Sequence, residues 1–273
     1  MDPILIIGLL VIGIGAGTLG ALFGIGGGII FVPVLTVLYG LTASEAVAVS
    51  LIGIIAASTG AASQYVGTGM SNVRLGLLLE TTTTIGAMIG AVAAAYVENW
   101  LLLLIFAVVL LYSGISMIAV PERPADQSTG DDICTFRYND PRDGKEKRYR
   151  IGNLISGTAV CTAAGAMSSM TGVGGGTIKV PLMNLHMHVP IKVASATSNY
   201  MIGITAFSGA IIYFMHGDIL LDYAAAIAIG AFVGSIVGAR ISKYMNASAV
   251  KKYFSILLFI MSAVIMLEAG GYI

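Results

Sequence analysis

Apolar residues run along this chain in stretches far longer than the core elements of a soluble domain, and most of the charge lies between them. Ile4 to Phe23 carries no charge, and Ala43 to Val66, Asn72 to Val97 and Trp100 to Val120 hold only Glu45, Arg74 and Glu80. A second series follows: Ile151 to Thr171, Ile191 to Phe214, Ile219 to Met245 and Val250 to Ile273. Twenty helical residues rise about 30 Å, the thickness of a bilayer's hydrocarbon layer, so these stretches predict membrane helices. Between the two series lies Pro121 to Arg150, with seven Lys/Arg and seven Asp/Glu. Inside it, Asn139 to Gly144 is a turn-former flanked by β-prone Thr135 to Tyr138 and Lys147 to Arg150, which predicts a small hairpin outside the membrane. The chain therefore divides into membrane repeat 1 (1–120), a polar linker (121–150) and membrane repeat 2 (151–273).

Two of the apolar stretches are broken in the same way. Gly24 to Leu35 reads GIGGGIIFVPVL and Gly172 to Met183 reads GVGGGTIKVPLM, sharing seven of twelve residues at an offset of 148. Three adjacent glycines each cost about 1 kcal/mol of helix propensity, so a helix is expected to end there. Pro33 is expected in the first turn of a new, short helix, where its missing N–H is not needed. Such a break is tolerated in a bilayer only where protein or a polar cavity satisfies the freed backbone groups. Each broken element is therefore read as re-entrant or two-pass. The same offset of 148 superposes Gly17 on Gly165, Ser50 on Ser198, Gly69 on Gly217, Gly86 on Gly234 and Gly90 on Gly238, which makes the chain a duplication.

Loop cations set the orientation. The central linker holds seven and is placed in the cytoplasm; the Val97 to Trp100 loop has none, whereas its counterpart has Arg240, Lys243, Lys251 and Lys252. Corresponding loops then fall on opposite sides, the pattern of inverted-topology repeats, with both termini outside. The expected fold is an all-α polytopic membrane protein of about 8–10 transmembrane segments. Met1-Asp2-Pro3 lacks the basic residues of a signal peptide, so the first apolar run is expected to stay as a helix.

Composition sharpens the chemistry. With 57% hydrophobic residues, 10% charged and a mean hydropathy of +0.91, the chain is a membrane protein; its formal charge of zero suggests no nucleic-acid partner. Cys134 and Cys161 suggest neither a disulfide nor a metal site, and His186 and His188 lack a third ligand nearby. The glycine pattern at Gly24 to Gly28 has no βαβ surroundings, so no nucleotide or other cofactor is expected. Amides freed at a glycine break, and the start of the helix after it, attract anions. Gly26, Gly27, Gly28, Gly174, Gly175 and Gly176 are thus candidate substrate ligands, joined by Thr177 and by Lys179, whose counterpart is Phe31. Ser50, Thr197, Ser198 and Asn199 add neutral donors, and the intramembrane carboxylate of Glu80 is a candidate for proton coupling.

On these residues the sequence resembles the TauE/SafE, or sulfite exporter, family of membrane transporters. The duplicated G-[IV]-G-G-G-x-[IV]-x-V-P motif at Gly24 to Pro33 and Gly172 to Pro181 carries the resemblance, with the small-residue helix before each copy and the polar linker between halves. It implies movement of sulfite or a small organosulfur anion across the cell membrane. The reading that follows is a secondary transporter working by alternating access at a midplane site between the repeats. A passive anion channel is the nearer alternative; an intramembrane enzyme would use the glycines as an oxyanion hole but has no histidine or aspartate well inside the spans.

Overall fold

The computed structural model describes residues 3–93, 99–119, 135–140, 144–172 and 174–269. Among the described residues ten α-helices follow in order: α1 (Pro3–Phe23), α2 (Gly28–Tyr39), α3 (Ala43–Tyr65), α4 (Val73–Ala93), α5 (Asn99–Ala119), α6 (Leu154–Thr171), α7 (Gly176–Pro181), α8 (Ile191–His216), α9 (Leu221–Tyr244) and α10 (Ala247–Ala269). Strands β1 (Thr135–Asp140) and β2 (Lys145–Arg150) precede α6. Among the described residues six helices, those of α1, α3, α4, α8, α9 and α10, are long and apolar enough to cross a membrane. The protein is a polytopic, mostly helical membrane protein. Cys134 lies outside the described residues; Cys161 is a buried free thiol.

Local chemistry explains the helix starts. Thr42 and Glu45 form a reciprocal capping box at α3, each bonding the other's backbone amide. Asn72 Oδ1 accepts the Leu75 amide at 3.0 Å and opens α4. Pro33 departs from expectation: α2 begins at Gly28, so the proline sits inside the helix. Its ring removes the amide that would have bonded the Ile29 carbonyl. In the second half Pro181 ends α7, and the backbone widens into a π-helical turn at Leu182–His186.

Small residues set the packing. Gly13 and Gly17 of α1 lie against the backbone at Ile227 and Ala231 of α9, and Gly234 and Gly238 of α9 lie against Ile14 and Thr18, so these helices run parallel in close contact. In α4 and α6 the same contacts recur 148 residues displaced, with Gly86 on Thr162, Gly90 on Ala166 and Gly165 on Thr83. The first long helix of each half thus packs on the fourth segment of the other half. At the centre α3 and α8 run in opposite directions, since Ser58 lies beside Asn199 and Gly203 while Leu51 lies beside Gly209. Outside them α5 and α10 also run antiparallel, with Gly114 on Phe259 and Ser262 Oγ donating to Ala107 O at 2.8 Å.

After the glycine turn α2 runs back along α1: Gly27 packs on Ala16, and Gly8 packs on the Tyr39 hydroxyl. Its 12 residues rise about 18 Å, too little to cross the hydrocarbon layer unaided.

Strands β1 and β2 pair antiparallel, from Thr135 opposite Arg150 to Asp140 opposite Lys145. The hairpin docks on the starts of α4 and α8. Asp140 binds Lys192 Nζ at 3.0 Å and Lys147 Nζ at 2.7 Å, and Tyr149 Oη accepts from Asn72 Nδ2 at 2.7 Å. Lys192 Nζ also donates to Lys243 O at 3.3 Å, which brings the end of α9 to the same end of the bundle. Burial between these groups pushes the Tyr149 phenol well above its ordinary range.

Candidate functional site

Glycine conformation builds the centre of the molecule. Gly24, Gly26 and Gly27 all have φ between 72° and 89°, and their equivalents Gly172, Gly174 and Gly175 lie between 65° and 84°. Residues with a Cβ adopt this region only at a cost, so glycine suits each of these turning positions. The two turns meet. A Cβ built on Gly176 would lie 2.1 Å from Gly24 O and 2.7 Å from Ile25 Cα, so the start of α7 touches the first broken segment directly. Ile54, the middle residue of α3, packs against both Gly26 and Gly174, and its equivalent Ile202 of α8 packs against Gly26. The breaks therefore lie halfway along the two central helices.

Hydroxyls brace these turns in matched pairs. Ser198 Oγ donates to Gly24 O at 2.6 Å and Ser50 Oγ to Gly172 O at 2.9 Å, and both residues and both carbonyls are equivalent at the 148 offset. Tyr65 Oη on Ala21 O (3.0 Å) and Tyr213 Oη on Ser169 O (3.2 Å) form a second equivalent pair. The protons of Ser50 and Ser198 are thus spent on the backbone of the break. Thr197 is turned elsewhere: its Oγ1 accepts the Asn72 amide at 2.9 Å, at the start of α4. Asn199 Nδ2 donates to Ala21 O at 2.7 Å and to Ser195 O at 3.1 Å, while its Oδ1 is buried with no partner among the described residues.

Polar capacity remains on the second break. Thr177 Oγ1, Ser168 Oγ and Ser169 Oγ are buried without hydrogen-bond partners among the described residues, and the Ser168 side chain lies against Gly175. The Gly28 and Ile29 amides open α2 without a backbone or side-chain acceptor among those residues, as Gly176 and Thr177 open α7. Buried polar groups are ordinarily satisfied, and among the described residues three of the six buried side-chain atoms without a partner are these hydroxyls.

Lys179 and Glu80 come together, which sequence reasoning named separately but did not pair. Lys179 Nζ lies 3.2 Å from Glu80 Oε2, their side chains 0% and 3% exposed, and donates to Thr205 Oγ1 at 2.7 Å. Thr205 Oγ1 in turn donates to Glu80 Oε1, which also receives Thr84 Oγ1 at 3.4 Å. The ammonium therefore faces a carboxylate rather than standing as an uncompensated charge beside the glycines. In the first half the equivalent Phe31 packs on Gly27 and Gly53, so the ionic cluster has an apolar counterpart. Thr205, Ser168 and Ser169 were not singled out from sequence. The last two were visible as adjacent hydroxyls just before Gly172; Thr205 carried no signal, because its partners lie 26 and 125 residues away. No group of three potential metal ligands occurs among the described residues.

The family described as Sulfite exporter TauE/SafE matches residues 9–265. The chain is similar to the probable membrane transporter protein YunE of Bacillus subtilis (strain 168), 28% identical over 269 residues that cover 95% of this chain and 97% of that protein. A shorter similarity, 27% over 104 residues, links it to the probable membrane transporter protein YdhB of the same organism, covering 38% of this chain and 42% of YdhB. Another, 27% over 99 residues and 33% of this chain, is with 16% of the probable membrane transporter protein MamO of Paramagnetospirillum magneticum. No solved structure matches the chain.

Proposed function

The chain belongs to the Sulfite exporter TauE/SafE family, and from that premise we propose that it is a secondary transporter of a small anion, sulfite or a small organosulfur anion. One observation carries the reading: the two glycine turns meet halfway along α3 and α8, with buried hydroxyls around them that have no partner among the described residues. In a bilayer this is the midplane, and backbone dipoles and hydroxyls there suit an oxyanion better than an apolar solute. Thr177, the opening amides of α2 and the Gly174 to Gly176 turn are the proposed ligands, with Ser50 and Ser198 holding the turns in shape. Ser168 and Ser169 join them because their hydroxyls have no partner among the described residues.

The halves are proposed to be inverted repeats, each with a re-entrant glycine turn. Supporting this, α3 and its equivalent α8 run antiparallel, and α1 is parallel to α9, the equivalent of α4. Rocking of one set of packed helices against the other would then expose the central site to each side in turn. The cation-rich linker is assigned to the cytoplasm and both termini outside.

Purified protein in liposomes, screened for flux of sulfite, sulfate, a sulfonate and a carboxylate, tests the reading. Saturable sulfite or sulfonate flux that shows counterflow is the expected result. Absence of flux for every anion refutes it, and non-saturating flux that only dissipates gradients replaces the transporter with a channel.

A further inference from the structure

The Lys179–Glu80 pair is placed where it would decide what travels with the anion. Lys179 sits on α7, three residues after Gly176, and its own amide bonds Gly175 O at 3.0 Å, so its backbone is part of the turn that meets the first broken segment. An ammonium has three donors, and two of Lys179's are taken, by Glu80 and Thr205. Thr177, on the same short helix, keeps a buried hydroxyl with no partner among the described residues. Lys179 and Glu80 together are neutral, and a buried site pays heavily for net charge. A bare monovalent anion arriving here would leave an excess negative charge, because Glu80 already balances the lysine.

The imbalance vanishes if a proton accompanies the anion. We propose that Glu80 takes up one proton as the anion arrives, and that the anion replaces the carboxylate as the partner of Lys179. This rests on the transporter reading and supplies its coupling ion. The proton comes from water on the side of entry, forms an O–H bond on the Glu80 carboxyl, and returns to water on the far side when the anion leaves and Glu80 pairs with Lys179 again. Thr205 suits such an exchange, since its hydroxyl touches both groups and can donate to a carboxylate or accept from a carboxylic acid. The surroundings leave few rival proton carriers. α6 presents the Cys161 thiol to the pair, α8 presents Thr205 and, one turn earlier beside Gly76, Tyr200, and the one titratable group on α5, Tyr112, is 72% exposed. Lys192 of α8 is engaged with Asp140 at the end of the bundle.

Infrared difference spectroscopy on purified protein in detergent tests this, with sulfite, sulfate and methanesulfonate as the added anions. Binding of at least one of them should produce the carbonyl stretch of a protonated carboxyl group, absent in Glu80→Gln. The Gln variant keeps the side-chain shape and should still bind the anion, with affinity within about tenfold of the native protein. Lys179→Met removes the charge that holds Glu80 ionised, so the protonated-carboxyl band should be present before any anion is added, and affinity should fall at least tenfold. Monodisperse elution of each variant establishes that it is folded, and the band in Lys179→Met reads the pairing even if that variant binds nothing. Anion binding by the native protein without the band, or with the band retained in Glu80→Gln, overturns the coupling while leaving the transport reading intact. Failure of the native protein to bind any of the three anions overturns the site and the coupling together.

Discussion

Gly176→Ala tests whether the meeting of the two broken segments matters to function. The added methyl carbon would sit 2.1 Å from Gly24 O and 2.7 Å from Ile25 Cα, where ordinary contact begins at 3.4 Å. Both obstacles are backbone, so the start of α7 and the first glycine turn must part by about 1 Å rather than let a side chain rotate away. Gly176 is not among the glycines with positive φ, so the perturbation is one of space alone. Overpacking of this kind costs about 1–3 kcal/mol, and a misplacement of about 1 Å in a positioned site can cost about a hundredfold in rate. The variant is expected to insert and purify with a lowered melting temperature, while saturable anion flux per molecule falls at least about tenfold. Gly67→Ala is the control: no atom of the described residues lies within 4 Å of its added carbon, and stability should change by no more than about 0.5 kcal/mol with flux intact. Full flux in Gly176→Ala, with the control also normal, would show that the contact between the segments is incidental.

Three further outcomes are expected. Ser50→Ala and Ser198→Ala each remove one equivalent bond to a turn carbonyl, so each should cost about 1 kcal/mol in thermal stability; a neutral result in one and a large effect in the other would refute the equivalence. Asp140→Asn strips the carboxylate from Lys192 and Lys147, and since breaking a buried ion pair costs about 3–5 kcal/mol, limited proteolysis should cleave the 135–150 hairpin faster; unchanged cleavage would show that the ion pairs do not hold it. Reporter fusions in the turn at Gly144 and at the C-terminus should report opposite sides of the membrane. α10 starts at the hairpin end of the bundle and its 23 residues rise about 34 Å, so reports from the same side would overturn the assignment.

Much of the architecture is legible in one dimension, because a bilayer imposes rules that act on short stretches of chain. Apolar runs long enough to cross, and glycine triplets that no membrane helix would carry through, mark α1, α3, α4, α8 and both turns directly in the sequence. The 148-residue offset, read from glycines and one serine, also points to contacts that recur in pairs. Other features were decided only in three dimensions. Pro33 lies inside α2 because the chain resumes helical geometry at once after Gly27, a choice made by packing on α1 rather than by proline's preference for a first turn. Ser50, Thr197, Ser198 and Asn199 look alike as donors in sequence, yet the fold spends the serines on turn carbonyls, turns Thr197 to the start of α4, and leaves the Asn199 amide oxygen with no partner among the described residues. The pairing of Lys179 with Glu80 spans 99 residues and joins the two halves. Local rules act through neighbours along the chain, whereas the partner of a buried charge is set by which helices pack together, and only the folded protein determines that.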